Sequence, residues 1–335
     1  MYFYRASISH PWSLQTNSPR SASLLPRSGI DVLRSIVLLC YCWPVCVSPA
    51  VTWEEILAQP EPASADARIR YGNDSIHQYG DLRLPGGAGP FPVAVVIHGG
   101  CWRANTSQTY IAGLSAALTA IGVATWTLEF RRLGNSGGGW PGTFEDVAAG
   151  TDLLRELGGG FPLDMDRVIA IGHSSGGHLA LWLGMRAGLN AADELFVSNP
   201  LPLTGIVALA GISDLRAYGS GRGACNRAVN VLMGGSRRQQ PDRYRQANPV
   251  EMLPMGLQVI LIHGSSDTIV PPRQSRIYAR QARKGMDAVE LLILKRAGHF
   301  DLVAPFAQHW QAVEREIGKL LQIGESPGDN KKQPE

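Results

Sequence analysis

Three residues of this chain could together make a hydroxyl nucleophilic, and they occur in the order Ser174, Asp267, His299. A serine hydroxyl attacks a carbonyl only when a base takes its proton. An imidazole is such a base near neutral pH, and a carboxylate behind it fixes its tautomer and orientation. Ser174 lies in Gly172-His173-Ser174-Ser175-Gly176, preceded by the strand-forming run Val168–Ile171 and followed by apolar residues at helical spacing, Leu179, Leu181, Trp182 and Leu183. Glycine and serine could simply make a turn here. The strand before and the helix after instead give the context of a nucleophile elbow, in which a tight turn pushes the serine out of a sheet and onto a helix N-terminus. The flanking glycines fit that turn because a Cβ would collide with neighbouring chain.

The acid and the base each follow a strand of their own. After Val259–His263 comes Gly264-Ser265-Ser266-Asp267, just ahead of a helix expected from Pro271; Asp267 is either the orienting carboxylate or a helix-capping aspartate. Asp214, after the strand Ile206–Ala210, is the alternative acid, and Asp301 is too near His299 in sequence to orient it easily. His299 follows the strand Val289–Leu294 in Ala297-Gly298-His299-Phe300, where the plainer reading is a surface histidine. Among the other histidines, His173 and His178 flank the elbow as a supporting neighbour and a helix residue, and His263 ends a strand. His309 falls within the last helix, and His10 and His77 lie outside the core.

A tetrahedral oxyanion needs fixed N–H donors. Ser175, next to the nucleophile, supplies one; Gly99 and Gly100, in the loop His98-Gly99-Gly100-Cys101-Trp102 after the apolar strand Pro92–Ile97, are expected to supply the others. The candidate substrate contacts are Cys101, Trp102 and Trp140. At the mouth of the site the tryptophans would narrow the acyl side and give an aromatic leaving group a flat wall; otherwise they only pack the loops.

The elements that must position these residues alternate. An antiparallel edge is expected from Ala67 to Leu84. Strands at Pro92–Ile97, Val123–Phe130, Arg167–Ile171, Ile206–Ala210, Val259–His263 and Val289–Leu294 alternate with helices at 107–121, 143–157 (Asp146 and Asp152 outward), 177–186, 271–284 and 304–321. This alternation predicts an α/β fold, a doubly wound, mostly parallel sheet forming a single catalytic domain, with ligands beyond the C-terminal strand ends. Residues 212–256 lack clear periodicity and read as an insertion over the active face.

Composition bounds the rest. The formal charge is +3, but Arg5, Arg20, Arg27 and Arg34 against Asp31 account for it, leaving residues 51–335 neutral with 27 basic and 27 acidic side chains. Nothing points to nucleic acid. The apolar stretch 35–50 after Arg34, broken by Pro44, is too short for a stable membrane span and fits an export signal with Ser48 and Ala50 before a cleavage point. The expected layout is a non-catalytic segment 1–50, a catalytic domain 51–323 and a disordered polar tail 324–335. The chain would then be secreted or periplasmic; the long polar stretch before the apolar run keeps a cytoplasmic chain as the alternative. Cys40, Cys42 and Cys46 fall in the first segment, leaving Cys101 and Cys225, which could form one disulfide. No CxxC or HExxH spacing occurs, so no metal or other cofactor is expected.

From about Ala67 to Leu321 the chain resembles the α/β-hydrolase superfamily, in its HGG-type esterase branch. The motifs His98-Gly99-Gly100-Cys101-Trp102, Gly139-Trp140-Pro141-Gly142 and Gly172-His173-Ser174-Ser175-Gly176-Gly177-His178-Leu179 are similar to those of kynurenine formamidases and of feruloyl and acetylxylan esterase-like enzymes, often labelled prolyl-oligopeptidase-like. The resemblance implies Ser174 as nucleophile, Asp267 as acid, His299 as base, and the amides of Gly99, Gly100 and Ser175 as the oxyanion hole. Cys101 stands where lipase-type loops carry a third glycine, which disfavours the hormone-sensitive-lipase group. The implied reaction is hydrolysis of a small carboxylic ester through an acyl-enzyme. The alternatives are an arylformamidase acting on a formamide such as N-formylkynurenine, whose cytoplasmic location sits poorly with export, and an inactive hydrolase fold serving as a binding module.

Overall fold

The computed structural model describes residues 50–323. The expected export segment, apart from its last residue, and the expected polar tail lie outside them. Within them, no helix is long and apolar enough to cross a membrane.

The wholly apolar run of the third strand explains the architecture. A strand without a polar face must be covered on both sides. Eight strands form one sheet: β1 (Ala67–Arg70), β2 (Tyr79–Arg83), β3 (Phe91–Ile97), β4 (Ala124–Glu129), β5 (Leu163–His173), β6 (Gly205–Leu209), β7 (Gln258–Gly264) and β8 (Val289–Leu294). Their spatial order is β1-β2-β4-β3-β5-β6-β7-β8. β1 pairs antiparallel with β2 and β2 antiparallel with β4, while every pair from β4 to β8 is parallel. Alternate residues of β3 enter two separate cores. Val93, Val95 and Ile97 pack with Trp126, Trp182 and Leu261 on one face; Ala94 and Val96 pack with Ile111, Leu114 and Ile317 on the other. Each such buried aliphatic side chain contributes roughly 1.5–3 kcal/mol, which fixes the register of the central strands.

The helices depart from the expected pattern in ways that local physics explains. The 143–157 helix is two helices, Gly142–Asp152 and Leu154–Leu157, hinged at Leu153. The 304–321 helix begins only at Trp310, and a 3₁₀ turn, Phe300–Val303, fills part of the space before it. β8 is an edge strand with Glu290 exposed and only Leu294 buried. The insertion holds three short helices, Leu215–Gly219, Ala224–Leu232 and Pro241–Ala247. Helices of five to nine residues make too few turns for a period to show in sequence. A further short helix, Trp53–Leu57, opens with a reciprocal cap between Thr52 and Glu55.

Asp146 is not outward. It is buried, and its Oδ1 accepts from Gln78 Nε2 at 2.7 Å and Arg131 Nη2 at 2.6 Å, while Oδ2 accepts the Arg131 backbone N–H at 2.8 Å. Asp152 is half-buried and paired with the buried guanidinium of Arg186. Asp146 thus ties β2's approach and the chain after β4 to the helix Gly142–Asp152. Replacing Asp146 with Ala leaves Arg131 and Gln78 without their acceptor, so a loss of about 3 kcal/mol is expected in urea unfolding. An outward carboxylate would change stability by less than about 0.5 kcal/mol.

Candidate active site

Ser174 sits between the end of β5 and the helix Ser175–Met185 with φ 58° and ψ −119°, a region that a residue with a Cβ occupies only when its surroundings force it. The surroundings do so here. A Cβ on Gly172 would lie 2.0 Å from the Gly176 carbonyl oxygen, and one on Gly176 would lie 2.2 Å from that of Ile97. Strand, helix and the end of β3 therefore meet backbone to backbone. The Ser174 N–H donates to Leu209 O of β6 at 2.8 Å, and its carbonyl accepts from His178 N at 3.2 Å.

Asp267 and His299 meet because β7 and β8 are adjacent and their following loops are sewn together. Ser265 N donates to Leu294 O and Ser266 N to Ala297 O, both at 2.9 Å, and Arg296 N donates to Ser265 Oγ at 2.8 Å. His299 Nδ1 then lies 2.7 Å from Asp267 Oδ2. The other oxygen, Oδ1, accepts the N–H groups of Ile269 and Val270 at 2.8 and 2.9 Å. Burial alone would raise the Asp267 carboxyl, but the imidazoles of His263 and His299 beside it more than offset it and hold the group well below the usual carboxylate range. Asp214 is elsewhere, capping the helix Leu215–Gly219 through Ala217 N at 2.9 Å. His263 is a partner that sequence reasoning left as a strand end. Its Nε2 donates to Val270 O at 2.7 Å and lies 3.4 Å from Asp267 Oδ2.

The base loop is also fastened to the elbow. The rings of His173 and His299 lie 4.5 Å apart, and His173 Nε2 donates to the His299 carbonyl at 3.1 Å. Ser174 Oγ and His299 Nε2 have no hydrogen-bond partner among the described residues, so the structure brings Asp267 and His299 into contact but shows no hydrogen bond from Ser174 to His299.

The glycine loop corrects one expectation. The Gly99 N–H does not face the site; it donates to Tyr110 Oη at 2.6 Å. The N–H groups of Gly100 and Cys101 have no acceptor among the described residues, and Ser175 opens its helix, so its N–H has no intrahelical acceptor. Cys101 N–H, free like that of Gly100, is not marked in sequence because the residue is not a glycine. The loop lies against the serine: a Cβ on Gly99 would be 2.9 Å from Ser174 Cβ. Beneath it, buried Glu129 accepts from His98 Nε2 at 3.0 Å and from Gln108 N at 3.2 Å. Burial would raise that carboxyl, but His98 and Arg132 beside it hold it below its usual range.

Trp102 cannot be a substrate wall. It is fully buried, and its Nε1 donates to His178 Nδ1 at 3.3 Å, because the left-handed backbone at Cys101 and Trp102 turns the indole into the core. Cys101 is bonded to Cys225, with Cα atoms 5.0 Å apart, which staples the glycine loop to the insertion. Trp140 is half-buried, donates to Glu194 Oε2 at 2.6 Å, and has the Arg243 guanidinium 5.5 Å from its ring. A cavity of about 740 Å³ is lined by Ile56, Arg68, Asp81 and Tyr110, but not by Ser174, Asp267 or His299.

The model of the BD-FAE family matches residues 81–281, more than half of the chain. The chain belongs to the BD-FAE family. The match includes Ser174 and Asp267; His299 lies beyond it. Two esterases of Mycobacterium tuberculosis are similar to this BD-FAE protein. LipC is 28% identical over 251 residues, covering 70% of this chain and 60% of LipC. LipQ is 24% identical over 217 residues, covering 64% of this chain and 51% of LipQ. The chain thus spans between half and two thirds of the length of either relative. Among solved structures, esterase B of Lactobacillus rhamnosis, inhibited by a tributyrin phosphonate, superposes with a TM-score of 0.68 at 16% identity, covering 80% of this chain and 89% of its own. This likeness shows the α/β-hydrolase fold.

His178 gives the site a measurable pH signature. Its Nε2 donates to the Ala247 carbonyl at 2.8 Å and its Nδ1 accepts from Trp102, so the ring is neutral, and burial pushes it down to about 4. As pH falls, the unfolded chain takes up the proton near 6.5, before the folded one does. Stability from this group is therefore full above about pH 6.5 and lost toward pH 4, by about 3 kcal/mol. Urea unfolding between pH 4 and 7 should show that slope in the wild type and a shallower one in His178→Gln. Equal slopes would contradict a buried neutral His178.

Proposed function

We propose that this BD-FAE protein is a serine hydrolase that cleaves small carboxylic esters through an acyl-enzyme intermediate, with Ser174 as nucleophile, His299 as base and Asp267 as its orienting acid. The observation that carries the reading is the buried 2.7 Å contact of Asp267 with His299 Nδ1, which leaves Nε2 free on a loop fastened beside Ser174. As the Ser174 oxygen attacks the ester carbonyl, His299 Nε2 takes its proton and Asp267 stabilises the imidazolium. The oxyanion accepts the N–H groups of Ser175 and Gly100, with Cys101 N–H beside them. His299 gives the proton to the departing alcohol, then takes one from the water that attacks the acyl carbon and returns it to the Ser174 oxygen as the acyl–serine bond breaks and the acid leaves. The Asp267 carboxyl stays ionised through the working pH range because its pKa is depressed.

Small esters are favoured by the staple between Cys101 and Cys225, which holds the insertion down on the oxyanion loop, and ester chemistry is supported by the similarity to the esterases LipC and LipQ. The same disulfide supports export, since such bonds persist in oxidising compartments. The HGG-type loop agrees with the esterase and kynurenine formamidase branch, and a formamide would use the same groups.

Turnover of p-nitrophenyl acetate, butyrate and decanoate and of N-formylkynurenine tests the reading. Acetate and butyrate should exceed decanoate, and Ser174→Ala should lose on the order of a million-fold in kcat with its melting temperature kept. A variant retaining a tenth of the activity, or a preference for decanoate, would overturn it. Faster turnover of N-formylkynurenine than of any ester would make the protein an arylformamidase.

A further inference from the structure

Tyr110 and His173 belong to neither the acid–base pair nor the set of free amides, yet both are buried between them. Their protons can be assigned without a choice. His173 Nε2 lies 3.1 Å from the His299 carbonyl oxygen. A carbonyl only accepts, so Nε2 carries hydrogen. Burial, reinforced by the nearby His299, pushes His173 well below the usual histidine range, so the ring is neutral and its Nδ1 is bare. Tyr110 Oη, 2.9 Å from that Nδ1, must then donate to it. With its one proton committed, the hydroxyl is an acceptor toward Gly99 N–H at 2.6 Å. Three hydrogen bonds therefore run in one direction, from the Gly99 amide through Tyr110 and His173 to the backbone of His299.

Packing leaves this chain of bonds little freedom. A Cβ on Gly99 would meet Tyr110 Oη at 2.8 Å and His173 O at 2.7 Å, so the loop already presses on both residues. Trp53 packs on Tyr110 with ring centres 5.2 Å apart and on Phe300 at 5.5 Å. Phe300 in turn packs edge-on against His299 at 5.1 Å. The two ends of the chain of bonds are the two loops that a reacting carbonyl must touch at once: Gly99 immediately precedes the free Gly100 amide, and the His299 carbonyl belongs to the residue whose Nε2 is free.

We propose that Tyr110 and His173 are positioning residues that hold the oxyanion loop at a set distance from the base, by tying the Gly99 amide to the His299 backbone. The proposal rests on the ester-hydrolase reading above. Neither side chain touches substrate; both act through Gly99 and His299. Their contribution is realised when the oxyanion forms, so it falls on kcat and not on KM. The direction of the bonds also explains why Gly99 N–H is absent from the oxyanion hole: its hydrogen is what anchors the loop.

The test is a double-mutant cycle on the full chain with p-nitrophenyl acetate. Tyr110→Phe removes both of the Tyr110 bonds, and His173→Leu, which has neither donor nor acceptor, removes both of the His173 bonds. Each should lower kcat by roughly tenfold or more, with KM changed by less than about threefold. The double variant should be no slower than the slower single one, because cutting either link idles the other. Folded single variants with wild-type kcat, or losses that multiply in the double variant, would overturn the proposal. A second readout needs no activity: nitrogen NMR of the wild-type histidines should show His173 protonated at Nε2 and bare at Nδ1, and an Nδ1–H tautomer would overturn it even if the variants fail to fold. If wild-type protein hydrolyses no ester, the hydrolase reading and the positioning role both fall, while the NMR result shows that failure to be distinct from a misassigned bond direction.

Discussion

The site depends on a steric constraint at two glycines. At Gly172 and Gly176 the end of β5, the first turn of the following helix and the last residues of β3 are so close that neither position has room for a Cβ. Only that approach lets one residue between strand and helix stand at a positive φ with its side chain clear of the sheet. The strain at Ser174, of order 1–3 kcal/mol, is offset by the burial of the helix Ser175–Met185, nearly all of whose residues are inaccessible to solvent. The serine's place is therefore decided by core packing.

What surrounds the elbow is a set of buried polar groups whose proton positions are forced. Asp267 is ionised and accepts from two amides and a histidine. His178 is neutral with its proton on Nε2 because a carbonyl faces that nitrogen. Their bonds cross between loops: Asp267 joins its own loop to His299, and His178 joins Trp102 of the oxyanion loop to Ala247 of the insertion. Loops that follow separate strands are thus locked to one another by bonds whose loss leaves an unsatisfied buried group, which is more costly than a bond at the surface. That rigidity lets preorganised donors act on a developing charge.

The parts of this legible in sequence were those written in local pattern. Apolar runs marked β3, β5, β6 and β7, and the order Ser174, Asp267, His299 on the loops after β5, β7 and β8 is reproduced in space as far as Asp267 and His299 meeting while Asp214 caps a helix. What was not legible depends on tertiary direction. Gly99 and Gly100 look alike as letters, but Tyr110 takes the amide of the first. Trp102 looks like a wall, yet its backbone turns it into the core. Asp146 has the spacing of an exposed helix residue, yet Arg131 and Gln78 arrive from distant chain to bury it. The helices of the insertion are too short to announce themselves, and the pairing of Cys101 with Cys225 follows from that insertion folding back over the glycine loop.

The central claim is that one serine is activated by one histidine. Labelling with a fluorophosphonate, followed by peptide mass spectrometry on the wild type and on His299→Ala, addresses it without any choice of substrate. The account predicts a single stoichiometric adduct on Ser174, formed at a rate that falls by about a thousandfold or more in His299→Ala. An adduct on another serine, no adduct at all, or equal rates in the two proteins would contradict it.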